Sequence, residues 1–412
     1  MPLCAGNFCG VCPILNRAAF HWNRDGVQAV IIAAGGDAQL FMENLGSDCV
    51  SGDSYVLGFE AGAKLVNLEF KQIFLGTVAP NKNMLIRVLP PHVKITNANG
   101  EEFMQNYVPE GGTVADCLEQ RNSHNPFSTR DLYSRYVDYS IQCEVKAGRG
   151  TKNNGIWLDK TDPRNPKEEM GRIEYWNYRG VDFSGPVEVG VHQHCSLGGF
   201  WIDENAETSV AHLYAVGEAA AGPHGADRGG GAMLLASQVF GARAGKHAAA
   251  WALKTGINKN ADDAAVSALE EIASIPKEGS ISPIEAKRPL RESAYYDLLI
   301  CRSETSLNKF LSVAADVEEN MLPKVGAAEP ADLIEALELK NMVLLAKIET
   351  AACLERKESR GPHWREDYPG QNDEEWVTNI VISKEGESVK VEHHAFDPDW
   401  ATKGDESIGY WA

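Results

Sequence analysis

The chain has 412 residues, 43% of them hydrophobic, which is enough to bury a large core and to form two or three domains. Lys and Arg number 39 against 58 Asp and Glu, and the net charge of −19 disfavours binding to nucleic acid or to anionic membrane surfaces. The sequence has no run of 18 apolar residues and no basic-then-apolar N-terminus, so we expect a cytoplasmic protein without membrane insertion.

Three of the nine cysteines have the spacing of part of an iron–sulfur site. Cys4, Cys9 and Cys12 follow the pattern C-x4-C-x2-C, which occurs in plant-type clusters. A cluster needs a fourth ligand, and no ferredoxin-like context surrounds these three residues. We therefore interpret the cysteines as reduced thiols and predict no metal site.

The N-terminal part of the chain predicts alternating strands and helices. Residues 28–32 are an apolar run that precedes Gly35 and Gly36, which predicts a buried strand and a tight turn. A helical pattern begins near Asp53, and residues 64–72 have the pattern of a strand.

The composition and the residue pattern of the sequence then change twice. Residues 74–186 are mixed polar and rich in Pro and Asn, which predicts a separate capping domain. Residues 333–349 have apolar side chains at helix spacing within a longer helical region, and residues 377–391 predict a hairpin. We therefore divide the chain into five parts. Residues 1–73 are the first part of a cofactor-binding domain, residues 74–186 the capping domain, and residues 187–255 a return to the first domain. Residues 256–358 are a helical domain, and residues 359–412 are a tail.

Residues 212–252 are the most informative segment. A short strand leads to Glu218, whose carboxylate at the strand's carboxyl end can accept hydrogen bonds from ligand hydroxyls. Gly225 and residues 229–231 leave the backbone free to approach a flat ligand, and a helix that begins near Met233 directs its positive end there. This order of elements predicts a cradle for a cofactor.

The sequences of several segments resemble those of one protein family. Residues 217–235 have the sequence GEAAAGPHGADRGGGAMLL. They resemble the FAD-binding segment of the succinate dehydrogenase and fumarate reductase flavoprotein family, whose members have a sequence close to GEAA…HGANRLGGNSLL there. HCSLGG from His194 resembles the family's HYTMGG, and SRGPHWREDYP at residues 359–369 resembles SRGAHYREDYP. The resemblance covers residues 27–370 in the family's order.

The resemblance implies a fold and a cofactor. The fold is of the α/β class, of mixed α+β type, with an incomplete Rossmann-like FAD-binding domain, an inserted capping domain and a C-terminal helical bundle. The cofactor is FAD, and the implied cofactor-binding residues are Gly35, Gly36, Asp53, Gly199, Glu218, His224, Gly225, Gly230, Met233 and Leu234.

The resemblance also implies a reaction, the transfer of a hydride between flavin and the CH–CH bond of an organic acid or similarly activated substrate. Arg130, in STRDLYSR, stands where the family has the arginine that donates a proton. His194 matches a histidine that hydrogen-bonds a substrate carboxylate, and Arg228 matches a carboxylate-binding arginine. These three residues are the predicted catalytic site.

Two departures from the family's pattern change the expectations. The family follows EFVQ with HPT, whose histidine contacts a second carboxylate, whereas here Phe74 and Leu75 occur after Gln72. A small-molecule organic acid or acyl substrate larger or more apolar than fumarate is therefore expected. No GxGxxG turn occurs before Ala33, so the resemblance implies that this half of the FAD site comes from a separate chain or from a longer form of the protein.

The source of electrons and two alternatives stay open. The sequence has no NAD(P) fingerprint and no C-x-x-C-H haem motif, so we expect a partner that is an iron–sulfur or other electron-transfer subunit. The first alternative is an enzyme like adenylylsulfate reductase or aspartate oxidase. The second is a non-catalytic subunit that retains the fold without self-sufficient FAD binding.

Overall fold

The computed structural model describes residues 28–78, 84–124, 126–166, 178, 180–255, 270 and 272–395; Cys4, Cys9 and Cys12 lie outside them. Within these residues the strands are β1 (Val30–Ile32), β2 (Leu65–Val66), β3 (Lys71–Thr77), β4 (Leu85–Ile86), β5 (Lys94–Thr96), β6 (Ile156–Asp159), β7 (Val187–Ser196), β8 (Gly199–Phe200), β9 (Leu213–Ala215), β10 (Thr378–Glu385) and β11 (Ser388–Ala395). The helices are α1 (Asp53–Glu60), α2 (Val114–His124), α3 (Arg135–Lys146), α4 (Ala232–Ala252), α5 (Pro283–Ser293), α6 (Glu304–Asp316), α7 (Pro330–Glu355) and α8 (Asp373–Trp376).

Five strands form an antiparallel sheet in the order β4-β3-β7-β6-β5, and its strand β7 carries His194. All seven residues of β3 are buried, which requires both faces of the sheet to be covered because side chains alternate between them. The register of β3 on β7 shifts, since Gln72 pairs with Cys195 whereas Ile73 pairs with Gln193. His194 is therefore the extra residue of a β-bulge, a feature that redirects a side chain.

The parallel strands β1 and β9 pair side by side and lead to the cradle. The turn after β1 holds Gly35 at a positive φ of 83°, and the Ser54 hydroxyl donates to the Gly35 carbonyl at 2.9 Å. A Cβ atom on Gly36 would lie 2.5 Å from Oε1 of Glu218. The turn is therefore in direct contact with the Glu218 side chain after β9, and a larger residue at position 36 would displace that carboxylate.

The predicted strand over residues 64–72 is wrong as a single element, because β2 and β3 belong to different sheets. Asn67, between them, has a left-handed φ of 57°, where the chain turns. Its amide donates to Asn379 Oδ1 at 2.7 Å, and its Oδ1 accepts from the Ile380 N–H at 3.2 Å. These bonds to β10 stabilise the turn. The predicted C-terminal hairpin is confirmed as β10 and β11.

Helices α5, α6 and α7 form the C-terminal helical unit. Ser282 and Ser303 cap α5 and α6, since each side chain accepts a hydrogen bond from a backbone N–H three residues later. The helix predicted at residues 333–349 lies within α7. Strand β3 runs across residue 73, so the division of the chain into domains stays a prediction. In the described part of the chain, no helix combines the length and the apolar character needed to cross a membrane.

Buried charges join the sheet to α7 in what we term the Lys71 cluster, formed by Lys71, Asp37, Glu349 and Ser196. The Lys71 ammonium contacts Asp37, and it donates to Glu349 Oε1 at 2.9 Å and to Ser196 Oγ at 3.1 Å. The three charged side chains are each 1% exposed or less. Burial and the Asp37 charge raise the pKa of Glu349. Burial opposes ionisation of Asp37 too, but the Lys71 charge and the hydrogen bonds with Glu349, Lys71 and Ser196 together lower its pKa.

Candidate active site

Glycines and a helix N-terminus leave open space beside the backbone at residues 225–231, which we term the glycine cradle. A Cβ atom built on Gly225, or on any of residues 229–231, would meet no heavy atom within 4 Å. Helix α4 begins directly after the cradle, with partly buried Met233 and 69% exposed Leu234 in its first turn. Open space beside a positive helix end fits the flat, negatively charged cofactor that the sequence predicts.

Glu218 follows β9 and is held by two hydrogen bonds. The Ser196 N–H donates to its Oε1 at 2.9 Å, and the Tyr55 hydroxyl donates to its carbonyl oxygen at 2.9 Å. Burial raises the pKa of the Glu218 carboxyl to about 7. At neutral pH this side chain can therefore either accept a hydrogen bond from a ligand hydroxyl or donate one to it.

Two other predicted cofactor residues have protein partners in this structure. Buried Asp53 accepts from the Ser51 hydroxyl at 2.7 Å and from the Asn341 amide at 2.5 Å. A Cβ atom on Gly199 would lie 2.4 Å from the Ala219 carbonyl oxygen, so the glycine allows two backbone segments to pack closely. Both residues have a structural role, and their contacts with a cofactor stay predictions.

The bulge residue His194 packs edge to face against Phe74, with ring centroids 5.0 Å apart and an interplanar angle of 81°. Its Nδ1 atom is buried and has no hydrogen-bond partner among the residues that the structure describes. Burial, together with the nearby charges of Arg228 and Arg87, lowers the pKa of His194 to about 4. The imidazole is therefore neutral at pH 7, with one ring nitrogen left for a ligand.

Arg228 lies in the cradle and bonds to Gln72. Its guanidinium donates to Gln72 Oε1, while Gln72 Nε2 donates to the Arg228 carbonyl at 3.4 Å. Buried Nε of Arg228 and buried Nε2 of His224 have no hydrogen-bond partner within the described residues. Burial and the charge of Arg228 lower the pKa of His224 to about 4. Arg228, His194 and His224 thus offer three buried polar atoms that need a partner, because such atoms are costly to leave unpaired.

Arg130 lies at the rim of this site. Its side chain is 57% exposed and lies 3.9 Å from the carboxylate of Asp131, which also contacts Nδ1 of His124 at 2.9 Å. Two residues before Arg130, the Ser128 hydroxyl donates to Asp227 of the cradle at 2.7 Å. This bond attaches the segment that carries Arg130 to the loop that carries Arg228.

Sequence reasoning missed Gln72, Arg87 and the bulge. Gln72 had a signal, because it ends the EFKQ segment that matches the family's EFVQ. Arg87 is exposed and acts on His194 only through its charge, so no motif marks it. The bulge depends on the register between two strands that lie far apart in sequence.

The two histidines of the site predict a pH dependence of stability. Their pKa values of about 4 lie below the ordinary value of about 6.5, so between these limits the unfolded chain binds protons that the native chain does not. The free energy of unfolding therefore decreases as the pH falls through this window. We expect the double variant His194→Gln/His224→Gln to lose less stability than wild type in urea unfolding between about pH 7 and about pH 4.5.

Exposed His247 on α4 provides the matched control. The His247→Gln variant should follow the wild-type curve, since its side chain lies in water in both states. Equal slopes for the double variant and wild type would contradict the depressed pKa values of His194 and His224.

Two family models match the chain in sequence order. The model described as "FAD binding domain" matches residues 25–234, and that described as "Fumarate reductase flavoprotein C-term" matches residues 287–403. The chain belongs to the succinate dehydrogenase and fumarate reductase flavoprotein family. The predicted family, its mixed helix-and-sheet flavoprotein fold and the cofactor FAD are therefore confirmed.

Members of this family with similar sequences differ in their named activities. The chain is 32% identical over 374 residues to a subunit of the fumarate reductase (CoM/CoB) of Methanothermobacter marburgensis, a match that covers 87% of this chain and 64% of that protein. It is 26% identical over 396 residues to L-aspartate oxidase of Streptomyces coelicolor, covering 90% of this chain and 62% of that protein.

A solved structure is also similar. Mycobacterium smegmatis Sdh1, determined in complex with UQ1, matches with a TM-score of 0.74 and 27% identity, covering 90% of this chain and 62% of that chain. The chain thus spans slightly less than two thirds of the length of these relatives.

Proposed function

We propose that this chain carries the flavin-ring and substrate side of an FAD-dependent oxidoreductase, which transfers a hydride between flavin and the CH–CH bond of an organic acid. Bound FAD supplies the hydride chemistry. The observation that carries the proposal is the set of three buried polar atoms beside the glycine cradle, Nε of Arg228, Nδ1 of His194 and Nε2 of His224. Because these atoms lie next to the open space of the glycine cradle, they support the binding of a ligand that forms hydrogen bonds with them.

Arg228 and His194 bind the substrate carboxylate in this proposal. The guanidinium of Arg228 grips the two carboxylate oxygens, and neutral His194 donates from its ring. Gln72 bonds both the side chain and the carbonyl of Arg228, so it holds the guanidinium in position. Fixed donors orient the substrate and polarise the carboxylate without reorganisation during the reaction.

Arg130 delivers the proton to the carbon next to the one that exchanges the hydride. An arginine is a weak acid, with a pKa above about 12, so its proton has to be replaced through neighbouring groups. The Arg130 side chain is 57% exposed, so water can supply a replacement proton to it. Asp131, whose carboxylate lies 3.9 Å from the Arg130 guanidinium and is 28% exposed, supports the same exchange.

The side of the site next to His194 is apolar. Phe74 packs on His194, and its aromatic ring cannot donate a hydrogen bond to a second carboxylate. An unpaired buried carboxylate would be costly, so we propose a substrate with an aromatic or acyl tail rather than fumarate or succinate.

Partners follow from the exposed apolar surface near the cradle. Leu234 is 69% exposed, Leu235 66% and Ile31 41%. Exposed apolar patches of this kind occur at interfaces. We propose that this patch is covered by the GxGxxG segment of the FAD site, from a longer form of the chain or another polypeptide, and that an iron–sulfur or other electron-transfer subunit exchanges electrons with the flavin.

Titration of the purified chain with FAD tests cofactor binding. We expect perturbed flavin absorbance bands on binding, and an about 10- to 100-fold weaker Kd in the Glu218→Ala variant, because loss of a buried hydrogen-bond partner costs about 1–3 kcal/mol. Exposed Glu204 is the matched control, and Glu204→Ala should bind FAD like wild type. A chain that stays colourless with excess FAD would favour the non-catalytic alternative.

An activity screen tests the reaction class. We expect the FAD-loaded protein to reduce a 3-aryl acrylate with reduced viologen as electron donor, with a higher kcat/KM than fumarate, because Phe74 lines the site. Turnover of aspartate or adenylylsulfate alone would instead favour the first alternative. A preference for fumarate would contradict the proposed apolar side of the site.

A further inference from the structure

Two thiols outside the candidate active site face each other across a junction of the fold. Sγ of Cys143, in α3, lies 3.8 Å from Sγ of Cys301, which precedes α6, and the two residues are 158 positions apart in sequence. Cys143 is partly exposed, whereas Cys301 is 2% exposed. Helix α3 lies in the predicted capping domain, residues 74–186, which we term the capping unit, and Cys301 lies in the helical unit of α5 to α7.

Hydrogen bonds join α3 to the segment that precedes Cys301 and so keep the two cysteines close together. Gln142, next to Cys143, donates to the Tyr295 carbonyl at 2.5 Å. Lys146 donates to the Tyr296 carbonyl at 3.0 Å and to Asp297 at 3.2 Å. A disulfide needs the sulfur atoms at about 2.0 Å, so the two sulfur atoms have to approach by about 1.8 Å.

The environments of the two thiols give them different reactivity. The hydrogen bond from Cys301 lowers the pKa of Cys143, although burial opposes it. The same hydrogen bond and burial raise the pKa of Cys301. The partly exposed thiol of Cys143, whose pKa is lowered, meets an oxidant first, and the buried thiol of Cys301 beside it is placed to react with the product.

We propose that Cys143 and Cys301 are a peroxide-sensitive dithiol that closes to a disulfide between the capping unit and the helical unit. The Cys143 thiolate attacks hydrogen peroxide and takes one oxygen as a sulfenic acid, and the released hydroxide takes a proton to form water. The Cys301 sulfur then attacks the sulfenic sulfur, forming the S–S bond and releasing a second water. The two thiols lose two electrons and two protons, and one peroxide is reduced to two waters.

Peptide mapping of the full chain tests the proposal. The reduced protein is treated with hydrogen peroxide, alkylated and digested with trypsin without reductant. Each cysteine lies alone in its tryptic peptide, residues 136–146 for Cys143 and residues 292–302 for Cys301. We expect these two peptides to appear as one linked species that has lost two hydrogen atoms and that dithiothreitol separates again.

Three variants assign the steps. Cys301→Ser should leave a sulfenic acid on Cys143 that dimedone labels, whereas Cys143→Ser should leave Cys301 unlabelled. The control Cys49→Ser removes a partly exposed thiol elsewhere and should still give the linked species. Full alkylation of both thiols after peroxide treatment of wild type, or a link from Cys143 to another cysteine, would overturn the proposal. The wild-type map needs no variant to fold.

Discussion

Replacement of Arg228 by alanine is expected to lower kcat/KM for the preferred unsaturated acid by about 10²–10³-fold, or about 3–4 kcal/mol. The guanidinium is the cation placed in the cradle, and its Nε has no protein partner within the described residues. Its removal also takes away the guanidinium donor of Gln72 Oε1, which then keeps the Cys195 thiol as donor at 3.4 Å. Steady-state kinetics over a range of substrate concentrations measures this loss.

Two further variants separate charge from geometry. Arg228→Lys should recover only part of the activity, because an ammonium cannot form two parallel bonds to a carboxylate. Arg243→Ala, on α4, removes an exposed arginine that bonds the Glu204 carbonyl, and it should retain wild-type kinetics. The proposed role of Arg228 is wrong if Arg228→Ala and Arg243→Ala have the same kcat/KM.

Replacement of Lys71 by methionine is expected to lower the free energy of unfolding by about 3–5 kcal/mol, the cost of removing one partner from a buried ion pair. The variant leaves the carboxyl groups of Asp37 and Glu349 buried together without a cation. One of them must then hold a proton, so its pKa in the native state lies above its value in the unfolded chain. The lost stability should therefore return in part as the pH is lowered from about 8 to about 5.5.

Urea unfolding at both pH values measures this effect, with Lys64→Met as control. Lys64 is 38% exposed and 3.7 Å from Glu392, and such an exposed pair contributes at most about 1 kcal/mol. Lys71→Met combined with Asp37→Leu and Glu349→Leu should be more stable than Lys71→Met alone, because it removes the unpaired charges as well. A single Lys71→Met variant as stable as Lys64→Met would contradict the buried pairing.

The bulge at His194 links the fold to the proposed specificity. It places the imidazole against Phe74, so the group that we propose to bind the carboxylate lies next to an aromatic ring. A substrate that satisfies both has a carboxylate at one end and an apolar group beside it. The β-bulge in the β3–β7 pair therefore supports the proposed class of substrate, an organic acid with an apolar group.

The sequence by itself determined the features that depend on local residue chemistry. Glycine adopts a positive φ at the turn at Gly35, in the glycine cradle and at the hairpin turn at Gly386. Other residues rarely adopt this conformation, so the glycines in the sequence are enough to predict these turns. The helix over residues 333–349, within α7, follows from apolar side chains at helix spacing.

Only the tertiary structure decided the features that depend on partners far away in the chain. The bulge at His194 comes from the register of β7 on β3, and the turn at Asn67 comes from its bonds to β10, about which a local pattern carries no information. Lys71 meets Glu349 from 278 positions away, and its burial is favourable only because that carboxylate and Asp37 surround it. The physical reason is that the energy of a buried polar group is set by the groups that folding brings to it.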